Sequence, residues 1–146
     1  MTKSIAELYH PEIPVAIHLD HGKNFDIVER AMEIGFGSVM YDGSRKDYAD
    51  NLKLTKKIVA LAHDKGIAVQ AELGNVPYIG EMQMETVEWE RYMTDPDQAV
   101  QFVSETGIDT LAVAIGTAHG FFRERSIPDY DRLSTIARLL DIPLVF

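Results

Sequence analysis

The segment DTLAVAIG, residues 109–116, is an almost continuously apolar run in the second half of the chain. A strand covered on both faces has this pattern, whereas a strand with one solvated face alternates apolar and polar residues. Coverage on both faces is usual in parallel sheets, because the helices that connect parallel strands pack on the sheet. The segment therefore predicts a parallel strand in an α/β protein.

Strand and helix patterns alternate on both sides of this segment. The helix before it is predicted to begin at Thr94 or Asp95, to carry Pro96 in its first turn and to end at Gly107. Further strands are predicted in PVAIHL (14–19), GSVMYDG (37–43), IAVQAELG (67–74) and IPLVF (142–146), and further helices at 24–35, 48–66 and 129–141. This order predicts βαβ units and a parallel sheet of about five strands.

The composition limits the possible partners. With 146 residues and 46% hydrophobic content, the chain is expected to form one domain over 1–146. The net charge of −9 argues against binding to nucleic acid or to an anionic membrane surface. Because there is no cysteine, disulfides and thiolate metal sites are excluded. We find no apolar run long enough to cross a bilayer and no signal-peptide pattern, so a cytoplasmic location is expected.

Metal-ligand or acid–base side chains stand at or just past the carboxyl ends of four of the predicted strands: Asp20 and His21, Asp42, Glu72 and His119. Catalytic residues of parallel α/β proteins lie at the carboxyl ends of the strands, which meet at one edge. Two histidines and several carboxylates suit zinc or a similar divalent ion. The third ligand that a catalytic zinc usually takes is left open.

Any one of these polar residues could instead be only a helix cap or a turn former. For the whole set, coincidence is a much poorer explanation. His18 has the same strand parity as Asp20 and lies deeper in the apolar run, so we expect it to be a hydrogen-bonded core histidine.

The motifs HLDHG, SVMYDGS, AELG, TDPDQAVQFVSETGIDTLAVAIGTAHG and DIPLVF together resemble the class II, metal-dependent ketose-bisphosphate aldolases of the fructose- and tagatose-bisphosphate kind. The resemblance extends from about Ile13 to Phe146. It implies a TIM (β/α)8 barrel, here incomplete, with the five strands matching the third to the seventh of the family.

The resemblance also implies roles for the residues at the strand ends. Asp20 matches the general acid/base on the hydroxyl at the cleaved carbon–carbon bond, and His21 and His119 match two of the zinc histidines. Asp42 and Glu72 match carboxylates near the metal that can hold a second or alternate divalent or monovalent cation. Zinc would act as a Lewis acid on the ketone while the ketose bisphosphate is cleaved to dihydroxyacetone phosphate and glyceraldehyde 3-phosphate.

Two further residues would face the phosphorylated sugar. Gly120 matches a glycine whose backbone contacts the phosphorylated ketone. The family's loop after AELG is glycine-rich and carries a glutamate that handles the proton on the ketone fragment, whereas here it has the sequence NVPYIGEMQMETVEW. Glu81 is the best candidate for that base, although its spacing is unusual. For the full-length family the resemblance implies a homo-oligomer, either a dimer or a tetramer.

The chain stops before the family's third zinc histidine and its phosphate-binding glycines, and it starts inside the helix before the third strand. We therefore expect it to be a fragment of an aldolase. Two alternatives stay open. One is an inactive half-barrel, either a remnant or an assembly partner; the other is a related metal-dependent aldolase for another phosphorylated sugar.

Overall fold

The computed structural model describes residues 8–9, 12–77, 89–119 and 127–146. Its strands are β1 (His18–Gly22), β2 (Ser38–Tyr41), β3 (Ala68–Leu73), β4 (Thr110–Val113) and β5 (Leu144–Val145). The helices between them are α1 (Phe25–Glu33), α2 (Tyr48–His63), α3 (Pro96–Thr106) and α4 (Tyr130–Leu139), and a short 3-10 helix spans Trp89–Arg91.

The five strands form one parallel sheet in the order β1-β2-β3-β4-β5. Within the described residues the sheet is not closed, since β1 and β5 each have one neighbour. Parallel strands that alternate with helices in an open sheet confirm the predicted fold class, a partial α/β barrel.

The hydrophobic core lies between the sheet and the helices. Alternate residues of each strand point to one face. The helix-facing positions include Val39, Tyr41, Val69, Leu111 and Val113, and they pack with Val28, Ile58, Phe102 and Ile136 from the helices. The opposite face carries more polar residues, among them Gln70 and Glu72, and it continues into the edge where the strands end.

The predicted ends of α3 are confirmed. The side chain of Asp95 accepts a hydrogen bond from the backbone N–H of Gln98 at 2.9 Å, which makes Asp95 the N-cap. Pro96 is the first helical residue, and Gly107 ends the helix in the left-handed conformation, with φ 68°. That conformation explains the glycine, because a Cβ would be strained there.

The predicted position of the first strand was wrong. Residues 14–17 have no regular secondary structure, Val15 is 37% exposed, and β1 begins at His18. The backbone oxygen of Ile17 accepts from the N–H groups of Gly37 and Ser38, where β2 begins. Residues before Ile17 could form strand hydrogen bonds only if β2 began earlier than Ser38. The apolar run 14–17 therefore has no strand beside it to pair with.

His18 is not the core residue that its parity predicted. Its side chain is exposed, although its Nδ1 is 2.9 Å from Oγ of Ser38, so the expected hydrogen bond is present. β1 is an edge strand of the sheet, and among the residues that the structure describes no helix packs over His18 on the face opposite α1. A position on that face of β1 is therefore solvated even though it follows an apolar run.

Candidate metal and catalytic site

An irregularity in β1 puts His21 at the site. Leu19 pairs with Val39 and Gly22 with Tyr41, so β1 contains one more residue than β2 over this span. In a regular strand His21 would pair with Tyr41 and face the helices, as Leu19 does. The extra residue turns His21 to the opposite side, and its φ of 49° is the sole positive φ at a non-glycine residue in the described ranges.

Gly22 makes this irregularity possible. A Cβ at Gly22 would lie 2.6 Å from the backbone oxygen of Met40 and 2.7 Å from Cγ2 of Val28. No side chain fits between β1, β2 and α1 at this point. The glycine after the histidine is therefore a packing requirement of the irregular strand.

Three side chains converge at the ends of β1, β2 and β3. Nδ1 of His21 is 3.0 Å from Oδ2 of Asp42 and 3.8 Å from Oε2 of Glu72. One possible ligand atom from each of the three residues lies within 4.8 Å of the other two. His119, which follows β4, has its ring centroid 5.4 Å from that of His21, with an angle of 79° between the rings. The structure thus brings together four of the predicted site residues.

Asp42 is held as a carboxylate. Its Oδ1 accepts hydrogen bonds from the N–H of Ser44 at 3.1 Å and from its hydroxyl at 2.6 Å, and its Oδ2 lies against His21. Burial acts to raise the pKa of Asp42, but the hydrogen bonds from Ser44 and His21 outweigh it and lower that pKa. Ser44, which the sequence analysis did not single out, therefore keeps a negative charge at the site.

Glu72 is in the opposite situation. Its side chain is buried, and burial together with the nearby charge of Asp42 raises its pKa to about 7. A cation between the two carboxyl groups would favour the ionised form of both. Imidazole and carboxylate ligands are those that zinc and similar divalent ions accept. The residues present therefore fit a divalent cation.

Asn51 of α2 is hydrogen-bonded to the backbone of Glu72. It is 2% exposed, and its Nδ2 donates to the backbone oxygen of Glu72 at 2.9 Å. A Cβ at Gly43 would lie 2.1 Å from Oδ1 of Asn51, so the loop after β2 passes directly over this amide. The sequence carried a signal for this residue, because Asn51 and Thr55 are polar residues at helical spacing from Ile58, on the apolar face of α2. The structure buries both of them.

Thr94 joins the ends of β3 and β4. Its hydroxyl donates to the backbone oxygen of Leu73 and accepts from the N–H of Ala114, and its own N–H donates to the oxygen of Ala114. A Cβ on Gly74, whose φ is 77°, would lie 2.8 Å from this hydroxyl. Thr94 was a candidate helix cap, but its buried hydroxyl links two strands while Asp95 caps the helix.

Asp20 lies beside the cluster, not in it. Its side chain is 75% exposed, and its Oδ1 is 3.8 Å from Nε2 of His21. Glu81 and Gly120 lie outside the residues that the structure describes. A cavity of about 300 Å³ opens at the cluster, lined by His21, Asp42, Glu72 and His119 and by residues of the neighbouring loops. No helix in the described part of the chain combines the length and the apolar composition that a membrane crossing requires.

The comparison with known families matches the whole chain. The model for "Fructose-bisphosphate aldolase class-II" matches residues 1–146. The chain is 46% identical to the fructose-bisphosphate aldolase of Helicobacter pylori over 99% of its own length and 47% of the relative's. It is also 46% identical to that of Giardia intestinalis, over 93% and 42%. The chain thus spans about half the length of the curated relatives it matches.

Two solved aldolase structures are similar to the chain in fold and in sequence. The YdjI aldolase from Escherichia coli K12 is similar with a TM-score of 0.79 and 34% identity, over 98% of this chain and 48% of that one. A putative fructose-1,6-bisphosphate aldolase from Coccidioides immitis has a TM-score of 0.81 and 32% identity, over 98% and 51%. With a family match along its full length and relatives at this identity, the chain belongs to the class II fructose-bisphosphate aldolase family.

Proposed function

We propose that this chain carries part of the active site of a zinc-dependent ketose-bisphosphate aldolase. The reaction is the reversible cleavage of fructose 1,6-bisphosphate to dihydroxyacetone phosphate and glyceraldehyde 3-phosphate. The observation that carries the proposal is the convergence of His21, Asp42 and Glu72 at the carboxyl ends of three parallel strands, with His119 beside them. Metal-dependent aldol cleavage needs imidazole or carboxylate groups to hold the cation, and these side chains provide both.

His21 and His119 would hold the zinc ion, and Asp42 and Glu72 would serve a second or alternate cation position. Zinc, when bound, supplies a Lewis acid that polarises a ketose carbonyl. Asp42 has a further use, because its direct contact with Nδ1 of His21 orients the ring and leaves Nε2 free to bind the ion. A cation bound beside Glu72 would favour its ionised form, against the burial and the nearby charge of Asp42 that raise its pKa.

Asp20 would move the proton at the bond that is cleaved. It takes the proton of the hydroxyl group during cleavage and returns it during condensation. Its exposed side chain is close to His21 yet outside the carboxylate cluster, so it can meet substrate held at the cation. Glu81 is proposed as the base on the ketone fragment, and the backbone of Gly120 as a contact of the phosphorylated ketone.

The remaining assignments belong to the same proposal. Residues 1–146 would be the third to the seventh strands of the barrel with their helices, in a cytoplasmic homo-oligomer. Tagatose 1,6-bisphosphate is the alternative substrate that we propose for the same cleavage reaction. Parallel rates on the two bisphosphates would distinguish them.

The test is a chimera, in which this chain replaces the matching segment of the Helicobacter pylori aldolase. We expect the chimera to cleave fructose 1,6-bisphosphate, to lose that activity in a chelator and to regain it with zinc. The Asp20→Asn chimera should keep its zinc content and lose about a hundredfold or more of its kcat.

A folded, zinc-loaded chimera without activity would contradict the proposal and favour the inactive half-barrel. The purified 146-residue chain is assayed in parallel. Activity from that chain alone would overturn the expectation that it is a fragment.

A further inference from the structure

Met40 is a buried methionine on the face of the sheet that carries the site. Its neighbours in β2, Val39 and Tyr41, pack with the helices, so the side chain of Met40 points to the opposite face. Met40 pairs there with Gln70 of β3 and is 1% exposed. The residue belongs to the motif SVMYDGS, but the proposed function assigns it no role. The contacts of its sulfur indicate one.

The sulfur of Met40 accepts two hydrogen bonds from the neighbouring strands. The backbone N–H of His21 in β1 donates to Sδ at 3.4 Å, and Nε2 of Gln70 in β3 donates to it at 3.4 Å. A thioether is a weak acceptor, but its sulfur is the one polar atom that a methionine side chain offers. Because β1 and β3 lie on either side of β2, the sulfur links three strands beside the site.

The contact with His21 falls at the point where β1 leaves its register. The pairing with β2 passes from Leu19 to Gly22, and the backbone of His21 between them has a φ of 49°. A positive φ is uncommon for a residue with a side chain, and it persists only where the surroundings hold it. Met40 acts there twice, because its sulfur accepts from the N–H of His21 and its backbone oxygen lies close to Gly22.

We propose that Met40 is a positioning residue for the metal ligand His21. The sulfur holds the backbone N–H of His21, and this contact keeps the imidazole turned to Asp42 and Glu72. The inference rests on the proposed function, because it takes His21 as a ligand of the cation. Leucine is similar to methionine in volume and would fill the same space, but it has no acceptor for that N–H. A residue needed only for packing could be either one.

The first experiment measures the zinc affinity of the full chain by competition with a chromophoric chelator. Met40→Leu should weaken zinc binding about three- to tenfold, which is a modest loss for a contact that supports a ligand because sulfur is a weak acceptor. Met32→Leu is the matched control, since Met32 is a buried methionine of α1 in the helix-side core, and it should leave the affinity unchanged. A folded Met40→Leu protein with wild-type affinity would overturn the proposal.

Met40→Gln separates positioning from packing. Glutamine has nearly the length of methionine and carries an oxygen that can accept from the N–H of His21, but it also buries an amide group. Compared with Met40→Leu, Met40→Gln should therefore bind zinc about twofold or more tighter and yet unfold at a lower urea concentration. If zinc affinity instead follows stability across the two variants, Met40 is only a packing residue and the proposal is wrong.

Amide hydrogen exchange tests the contact in the metal-free chain. The N–H of His21 should exchange about threefold or more faster in Met40→Leu than in the wild type, because it loses its acceptor. The N–H of His21 should also be protected in the wild type, which is measured whether or not a variant folds. An unprotected N–H there would contradict the proposal.

The zinc assay of His21→Gln distinguishes this inference from the proposed function. If His21→Gln keeps wild-type zinc affinity, His21 is not a ligand, and the proposed function fails together with the inference. If His21→Gln weakens zinc binding but Met40→Leu does not, the proposed ligand stands and the positioning role of Met40 is wrong. We expect both variants to weaken binding, with the larger loss in His21→Gln because it removes a ligand.

Discussion

β4 and β1 both lead to the candidate site, but they differ in regularity. β4 pairs residue for residue with β3, from Gln70 and Thr110 to Leu73 and Val113. β1 loses its register against β2 between Leu19 and Gly22. The regular strand is a buried framework whose apolar pattern predicts its place. The irregular strand carries His21, a proposed metal ligand, and His21 reaches the cluster only because the strand breaks its register at this point.

Two histidines of β1 provide the strongest test of this difference. His21→Gln should lower zinc affinity about a hundredfold or more, since it removes a proposed ligand, while His18→Gln should leave it nearly unchanged. His18 lies on the same strand but faces solvent beside Ser38. Competition with a chromophoric chelator measures both affinities in the full chain. Equal losses in the two variants would show that β1 is only a structural support.

The glycine after His21 tests whether β1 needs its extra residue. Gly22→Ala should lower the free energy of unfolding by about 2 kcal/mol, because the new Cβ overlaps the backbone of β2 and a side chain of α1. Gly37→Ala is the control, since its Cβ would meet one atom at 3.9 Å. Urea unfolding compares the two variants. A Gly22→Ala protein as stable as the Gly37→Ala protein would mean that β1 relaxes to a regular strand.

The end of β4 is tested by removing one hydroxyl. Thr94→Val should cost about 1–2 kcal/mol, because it leaves the oxygen of Leu73 and the N–H of Ala114 without their side-chain partner in a buried place. Thr135→Val removes an exposed hydroxyl that bonds within α4 and should cost less. The same unfolding assay applies. A larger loss at Thr135 would contradict the role of Thr94 as a link between strands.

The smallest expected effect concerns pH and the helix after β4. Asp129 caps α4, and the backbone N–H and guanidinium of Arg132 lower its pKa. A lowered pKa contributes stability above the ordinary carboxyl pKa, and that contribution is lost as pH falls through the lowered value. Asp129→Asn should therefore cost under about 1 kcal/mol at neutral pH, and the cost should shrink as the pH falls through the lowered pKa of Asp129, because asparagine keeps the cap.

Asp95→Asn is the control for this pH series. Asp95 caps α3 in the same way, through the N–H of Gln98, and no ion pair to it is found in the described residues. The Asp129 variant should therefore show the larger change between acid and neutral pH. The opposite order would mean that the contact with Arg132 does not stabilise the fold.

The fold was largely predictable because its signals are local. Each of these signals depends on a few neighbouring residues, and the structure confirms the strand β4 and the end of α3 at Gly107. The sequence left the cap of α3 open between Thr94 and Asp95, and the structure assigns it to Asp95. The position of β1 and the burial of His18 were predicted wrongly. Both depend on where β2 begins and on which strands cover β1, and the residues near His18 carry no information about either.

The candidate site divides in the same way. The sequence by itself determined that parallel strands bring Asp42, Glu72 and the two site histidines to one edge, because strand direction follows from the βαβ order. The tertiary structure decided that His21 turns to the site, that Asn51 and Ser44 support the carboxylates, and that Met40 accepts a hydrogen bond from the N–H of His21. These features arise from register and packing between elements distant in the chain, where each side chain finds its surroundings only after the sheet has formed.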